Sequence, residues 1–268
     1  MSSSHPRSSR RSGLLAGPLA FLAPALAVAT LGGCAGREPA PPPRAVRFAA
    51  FVAPALGAAP TDTAALSPED VLLEVVTALS GEPELDFVLV AGPVVGGDDR
   101  GDREALVGAL GSIAAPVFVA LTADEAASQD LLEALERGLP RHKGAAAYAG
   151  RPVAGWQPAA LGADGKLPAP NDGAGDDGLA VPVAAAFAGA GPPAAPVTLV
   201  VVQGPEPRLG PLPGRPDLTA LQLPPLGAPP HLFAVVTISP EGQVSVVLRT
   251  ALGDPAPPAP PPVQLQDP

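Results

Sequence analysis

The sequence predicts an α/β domain that begins with a parallel sheet and ends in antiparallel strands. Strand-like and helix-like segments alternate three times within residues 46–138, and this alternation is typical of βαβ units. The strand-like segments are continuously apolar, as strands are when a sheet is covered on both faces. Near the C-terminus, two apolar runs flank Pro240-Glu241-Gly242-Gln243 and predict a hairpin.

Strands are predicted where short runs of Val, Leu and Phe stand between turn residues. Such runs occupy residues 46–52, 86–91, 116–121, 197–202, 232–239 and 244–248. The stretch from 140 to 195 is less regular. Within it, residues 171–178 have the composition of a loop.

Three helices are predicted between these strands. The first begins after Ser67 as N-cap, with Pro68 at its first position and two acidic residues in its first turn. The second is predicted over residues 104–113, after a loop at 96–99. The third begins with the capping-box pattern Thr122-Ala123-Asp124-Glu125 and continues to Gly138.

The two ends of the chain differ in composition from the middle. Glycine (30) and proline (39) together make up about a quarter of the 268 residues, and many prolines stand in terminal runs. We therefore expect a signal peptide at 1–34, a proline-rich linker at 35–44 and a folded domain at 45–252. Residues 253–268 are predicted to form a proline-rich disordered tail.

The first 34 residues have the pattern of a bacterial export signal. Arg7, Arg10 and Arg11 precede an apolar stretch, Gly13–Leu31, and the only cysteine of the chain follows. Leu31-Gly32-Gly33-Cys34 resembles the lipobox of bacterial lipoproteins, and this resemblance implies that Cys34 carries the lipid. The alternative is a transmembrane anchor of about 20 residues.

Two prolines, Pro18 and Pro24, and the abrupt Gly-Gly-Cys ending argue against the transmembrane alternative. Export by the general or by the twin-arginine route stays open. The exported part keeps all 26 acidic residues but only 13 of the 16 basic ones, so it should be repelled by anionic lipid and held to the membrane by its acyl chains. The expected location is the cell envelope, facing the periplasm or the cell surface; Ala35 after the cysteine favours the outer membrane.

Several classes of function are excluded or disfavoured by composition. A single cysteine excludes a disulfide framework, and three histidines argue against a Cys/His zinc site. A net charge of −10 disfavours nucleic-acid binding, because phosphates are bound through Lys and Arg. The expected partners are a membrane, through the lipid, and an envelope protein.

Four strings at strand ends support a family resemblance. They are Arg47–Val52, Asp86–Gly92, Pro116–Leu121 and Val200–Pro205. Together with the order of elements, they resemble the calcineurin-like metallophosphoesterases over roughly residues 45–250. The resemblance implies a sandwich of mixed sheets flanked by helices. It also implies two metal ions held at strand ends by D-x-H, G-D, G-N-H-D/E, a later His and G-H-x-H.

The family's metal ligands are missing at the corresponding positions. Their counterparts are Ala53, Ala55, Pro93, Thr122–Glu125, Pro205 and, near the last motif, Gly214–Asp217. A two-metal phosphoesterase needs carboxylate and imidazole ligands to bind both ions and activate a bridging water. The resemblance therefore implies a domain without catalytic residues, metal or other cofactor. His142 and His231 are expected to be structural or exposed.

Three carboxylates could form an alternative metal site that does not use the family's ligands. Asp98, Asp124 and Glu125 would lie near the carboxyl ends of adjacent strands, where open α/β sheets bind ligands, and could bind a hard cation. The competing interpretation is a loop residue and two helix-capping acids.

Three hypotheses follow. The preferred one is an exported lipoprotein with a degenerate phosphoesterase-like domain that acts by binding or as a structural envelope protein. The second is a divergent metal-dependent phosphoesterase that uses the three carboxylates. The third is an unrelated α/β lipoprotein, which a two-sheet sandwich would exclude.

Overall fold

The computed structural model describes residues 44–58, 66–97, 99–139, 156–160, 181–185, 199–212, 215–253 and 255–265. All of them belong to one compact unit, residues 41–268. The signal segment with Cys34, almost all of the linker, Asp98, His142 and the loop at 171–178 lie outside the described residues. In the part of the chain that is described, no helix has the length and apolar composition needed to cross a membrane.

Eleven strands and four helices form in these residues. The strands are β1 (Val46–Val52), β2 (Phe87–Ala91), β3 (Val117–Val119), β4 (Trp156–Ala160), β5 (Val181–Ala185), β6 (Leu199–Gln203), β7 (Arg208–Leu212), β8 (Arg215–Leu223), β9 (Leu232–Ile238), β10 (Gln243–Thr250) and β11 (Val263–Gln264). The helices are α1 (Pro68–Ser80), α2 (Arg100–Gly111), α3 (Ala123–Ala127) and α4 (Gln129–Gly138).

The strands form two mixed sheets. The first has the order β11-β10-β9-β1-β2-β3, with β1, β2 and β3 parallel and the C-terminal strands antiparallel. The second has the order β4-β5-β6-β8-β7, and only its β7–β8 pair is antiparallel. The predicted C-terminal hairpin is confirmed as β9 and β10.

The two sheets pack face to face, and the helices cover the other face of the first sheet. Along β1, Phe48, Ala50 and Val52 belong to the core between the sheets, which also holds residues such as Val201 and Leu221. Ala49, Phe51 and Ala53 instead pack with the apolar faces of the helices. The predicted fold class, a sandwich of mixed sheets flanked by helices, is confirmed, and the two-sheet arrangement argues against the third hypothesis.

Helix α1 forms as predicted, whereas α2 begins earlier than predicted. In α1, the Ser67 hydroxyl accepts a hydrogen bond from the Asp70 amide at 3.1 Å. In α2, the carboxylate of Asp99 caps the helix by accepting from the Gly101 amide at 2.6 Å, so the helix begins at Arg100, four residues before the predicted start at Glu104. Asp99 was expected in a loop, but it is one of the strongest N-cap residues.

The predicted third helix is divided in two. Thr122 and Glu125 form the capping box as expected, but Ser128 has an extended conformation (φ −78°, ψ 102°) and ends α3. The Ser128 hydroxyl then accepts from the Leu131 amide at 3.4 Å and caps α4. Serine at this position competes with helix continuation by bonding the backbone locally.

Part of the segment predicted as a disordered tail, 253–268, pairs with the first sheet. Val263 and Gln264 pair with the start of β10 as β11. Leu265 is only 5 % exposed, and its amide donates to the Gly242 carbonyl at 3.0 Å. Val263 and Leu265, two apolar side chains at alternate positions after the prolines, pack with the core between the sheets.

A charged network joins β1 and β10 to the segment that follows α1. The Glu82 carboxylate, 11 % exposed, accepts from the Arg47 guanidinium at 2.5 Å and from the Arg249 guanidinium at 2.9 Å. Burial by itself would raise the pKa of Glu82, but the hydrogen bonds and charges of Arg249 and Arg47 outweigh it and hold the pKa below its ordinary value. The network therefore stabilises the fold only while Glu82 is ionised.

Glu82→Gln should destabilise the domain by about 1 kcal/mol at neutral pH, because partly exposed ion pairs are screened by water. Since the folded pKa is lowered, the contribution of Glu82 is fully present above its ordinary pKa of about 4.5 and is lost as the pH falls through the folded value. Urea unfolding should thus show a gap between the two chains at neutral pH that closes in acid. The exposed neighbour Glu84, changed to Gln, is the control, and an equal gap for both variants would contradict the assignment.

Candidate functional site

The carboxyl ends of five strands meet at one edge of the sandwich. We call this region the carboxyl edge and define it as residues 53–57, 92–96, 122–125, 203–205 and 224–226, which follow β1, β2, β3, β6 and β8. The two sheets are joined here, because the Leu226 amide donates to the Val52 carbonyl at 3.0 Å. This is the edge at which open α/β sheets bind ligands.

The segments after β1 and β2 are paired through their backbones. The Ala53 amide donates to the Ala91 carbonyl at 2.8 Å, and the Leu56 amide donates to the Val94 carbonyl at 3.0 Å. The Gly96 amide returns a bond to the Leu56 carbonyl at 2.5 Å. Ala53 is 2 % exposed, so the position expected for a metal-binding aspartate holds a buried methyl group.

The start of the second segment is tightly packed. Gly92 has a φ of +81°, and a Cβ atom there would lie 2.8 Å from Cγ1 of Val52 and 3.6 Å from Oε1 of Gln203. Glycine is required both by the left-handed backbone and by this close approach. Pro93 follows half-buried, where the resemblance would place the bridging aspartate.

Glu125 is a structural carboxylate. One of its oxygens accepts from the amides of Val94 and Val95 at 2.7 and 2.9 Å, and the other accepts from the Thr122 amide at 2.8 Å. The residue is 6 % exposed. A buried carboxylate that satisfies three backbone N–H groups fixes the segment after β2 against the start of α3.

The proposed trio of carboxylates is not assembled in the described residues. Glu125 is directed at backbone amides, Asp124 beside it is exposed, and Asp98 lies outside the described residues. Where the structure describes the chain, no group of three His, Cys, Asp or Glu side chains could hold a metal ion. Asp124 and Glu125 therefore do not converge as the second hypothesis requires, because the capping box turns Glu125 inward and leaves Asp124 in solvent.

His231 has a structural role that agrees with its prediction. It lies at the start of β9, beside the end of β1, since the register pairs Ala50 with Ala234. Its Nδ1 donates to the Leu226 carbonyl at 2.6 Å, and the residue is 7 % exposed with a φ of 53°. The ring thereby holds the turn that follows β8.

The predicted counterpart of the last family motif, near Gly214–Asp217, is misplaced. Arg215 begins β8, which runs parallel to β6, so Arg215–Asp217 stand at the opposite end of the sheet from the carboxyl edge. The residues after β8 are Pro224–Leu226, where Pro225 forms a bridge with Val52. The two prolines directly after the apolar run are the sequence signal that could have located this strand end.

Four residues with a left-handed backbone conformation lie at or beside the carboxyl edge. Ala55 (φ 55°), Gly57 (φ 78°) and Gly92 (φ 81°) follow β1 and β2, and His231 (φ 53°) adjoins them. A non-glycine residue in this region costs on the order of 1–3 kcal/mol and persists only where its surroundings fix it. Such conformations tend to occur at functional sites.

Comparisons with known proteins add a fold likeness. No protein-family model and no curated protein matches the chain. Among solved structures, the chain is similar to TT1561 of Thermus thermophilus, with 11 % identity, a TM-score of 0.46 and coverage of 78 % of this chain and 100 % of that one. A second solved structure matches with 10 % identity, a TM-score of 0.47 and coverage of 77 % and 99 %. With identities and TM-scores this low, neither likeness is informative about function.

Glu125→Ala should lower the free energy of unfolding by about 3 kcal/mol, because three backbone amides lose their acceptor. Glu125→Gln retains one acceptor oxygen and should lose less. The control is Asp124→Ala, which removes an exposed carboxylate and should cost only about 0.5 kcal/mol through the helix dipole. Urea unfolding measures all three, and a loss that appears only when divalent cations are present would contradict the structural role of Glu125.

Proposed function

We propose that this chain is an exported lipoprotein whose domain is a degenerate relative of the calcineurin-like metallophosphoesterases. It acts by binding, or as a structural component of the cell envelope, and does not hydrolyse phosphoesters. The observation that carries the proposal is the carboxyl edge. It has the strand ends at which such a family holds its metals, but alanine and proline occupy four of the positions expected for metal ligands: Ala53, Ala55, Pro93 and Pro205.

The side chains at this edge do not fit a two-metal centre. Ala53 and Ala55 offer methyl groups, and Pro93 and Pro205 offer rings without lone pairs. The nearest buried carboxylate, that of Glu125, already accepts three backbone hydrogen bonds. Two divalent ions would need several oxygen and nitrogen donors at fixed geometry, and the side chains of this edge do not supply that set.

The backbone of the edge supports descent from a working site. Ala55, three residues after the end of β1, has a left-handed conformation that is unfavourable for alanine. The neighbouring segments keep their close approach at Gly92. Strained backbone of this kind commonly positions ligands. If an ancestral site had lost its metal ligands but kept its loops, the strained backbone would remain without ligating side chains, as it does here.

The export part of the proposal rests on the first 34 residues. Cys34 is the only cysteine and stands at the end of an apolar segment preceded by three arginines. Lipidation there would anchor the domain through the linker at 35–44. The acidic exported part would stand away from anionic lipid heads and meet an envelope protein partner.

A second candidate is a divergent metal-dependent phosphoesterase. It would need Asp98 and Asp124 to bind metal with help from other groups, since the oxygens of Glu125 are already bonded to backbone amides. The exposed position of Asp124 at the start of α3 keeps that carboxylate accessible.

Metal analysis and a turnover assay distinguish the two candidates. The purified chain, incubated with Mn²⁺ and then dialysed, should retain less than one ion per chain and should not hydrolyse bis(p-nitrophenyl) phosphate above the buffer rate. The matched control is Asp124→Asn, which should behave identically. Two stoichiometric ions together with turnover that Asp124→Asn abolishes would overturn the proposal and establish the second candidate.

Cys34→Ser tests the anchor separately. The variant should no longer incorporate labelled palmitate, and the chain should leave the detergent-extracted membrane fraction, because a serine cannot form the thioether link. Ala35→Ser, one residue further on, should leave both readouts unchanged. If the Cys34→Ser chain still fractionates with membranes, the apolar segment itself is the anchor.

A further inference from the structure

The C-terminal segment lies along the outer edge of β10, the longest strand of the first sheet. It leaves the end of β10 through a turn at 251–253 and returns to pair with its beginning, Val263 with Val244 and Gln264 with Gln243. Residues 255–265, which we call the strap, therefore run antiparallel to β10. Polyproline II rises about 3.1 Å per residue, close to the rise of a strand. A strap in this conformation is therefore long enough to run beside the whole of β10.

The burial of the strap has the period of a polyproline II helix. Pro257, Pro260 and Val263 are half-buried. All the remaining residues from Pro255 to Gln264 are exposed. A three-residue repeat is the periodicity of this helix, which forms no internal hydrogen bonds. One face of the strap thus contacts the domain, and the rest of it faces solvent.

The strap runs back along β10 without backbone pairing to the centre of that strand. The Ser239 amide donates to the Gln243 carbonyl, so odd-numbered residues of β10 direct their backbone groups at β9. Val246 and Leu248 then direct theirs outward, toward the strap. Among the described residues, no backbone hydrogen bond joins 255–262 to these two positions, and prolines have no N–H to donate.

We propose that the strap keeps the edge of β10 from pairing with β10 of a second copy of this chain. The edge is a latent self-association surface, and the strap masks it in the monomer. This proposal does not depend on the proposed function, because it rests only on the C-terminal strands and their register.

The sequence of β10 suits a second copy as the occupant. Antiparallel pairing of two β10 strands would set Val246 of one copy opposite Leu248 of the other, an arrangement that maps onto itself under twofold symmetry. Val247, 44 % exposed, would add an apolar contact on the open face. The strand contains no proline, lysine or acid, and its one charge, Arg249, donates to Glu82. Edges usually carry such residues as protection, so here the protection has to come from the strap.

The test compares the full chain with the chain ended at Asp254, in the same detergent and with the same N-terminal anchor. Light scattering after size exclusion should give the full chain as a monomer and the shortened chain at twice its protein mass as concentration rises. Val246→Pro in the shortened chain should restore the monomer, because proline is tolerated on an edge but removes the outward N–H. The full chain carrying Val246→Pro is the control and should stay monomeric and folded by circular dichroism.

Two results would overturn the proposal. One is a folded, shortened chain that stays monomeric over the whole concentration range; the other is a dimer that persists with Val246→Pro. If the shortened chain does not fold, the full chain with Pro257→Gly and Pro260→Gly decides, because it keeps every other residue and only loosens the strap. That chain should show a concentration-dependent dimer, and a strictly monomeric result would overturn the proposal equally.

Discussion

The burial of β1 on both faces is the constraint on which the rest of the structure depends. Phe48, Ala50 and Val52 point into the core between the sheets, and Ala49 and Phe51 point at the helices. A strand in this position cannot carry polar side chains along its length, because each would need a buried partner. Polar side chains that could bind a ligand are therefore confined to the strand ends. At those ends this domain lacks the metal ligands that the family resemblance would lead one to expect.

At those ends, hydrogen-bonding capacity serves the fold. Glu125 bonds two successive amides after β2, and His231 bonds the carbonyl of Leu226 after β8. Each of these side chains is of a type that binds metals in other sites, yet each is buried with a backbone partner. A ligand would have to displace bonds that hold the loops together, and losing a buried partner costs about 1–3 kcal/mol per group. The bonds that hold these loops in place thus come from the chain itself.

Local patterns in the sequence predicted the elements well where they are apolar or capped. β1 was predicted at its observed bounds, and the capping box of Thr122 and Glu125 formed as expected. The bonds from Glu125 to Val94 and Val95 could not be predicted, because they join residues about 30 positions apart and depend on how β2 and β3 align. β7 and β8 were also missed, since their polar and proline residues hide the strand pattern until a neighbouring strand is known.

Proline illustrates how such a composition remains compatible with a packed sandwich. Its missing N–H is harmless at the first position of α1, where Pro68 stands. Pro211 lies in β7, an edge strand, next to an irregularity in the pairing with β8, which is where strands tolerate proline. In the strap, Pro257 and Pro260 likewise have no N–H to donate, so the segment can lie along an edge without extending the sheet there. Prolines thus stand at a helix start, in an edge strand and along a sheet edge. Only part of the high proline content belongs to segments outside the domain.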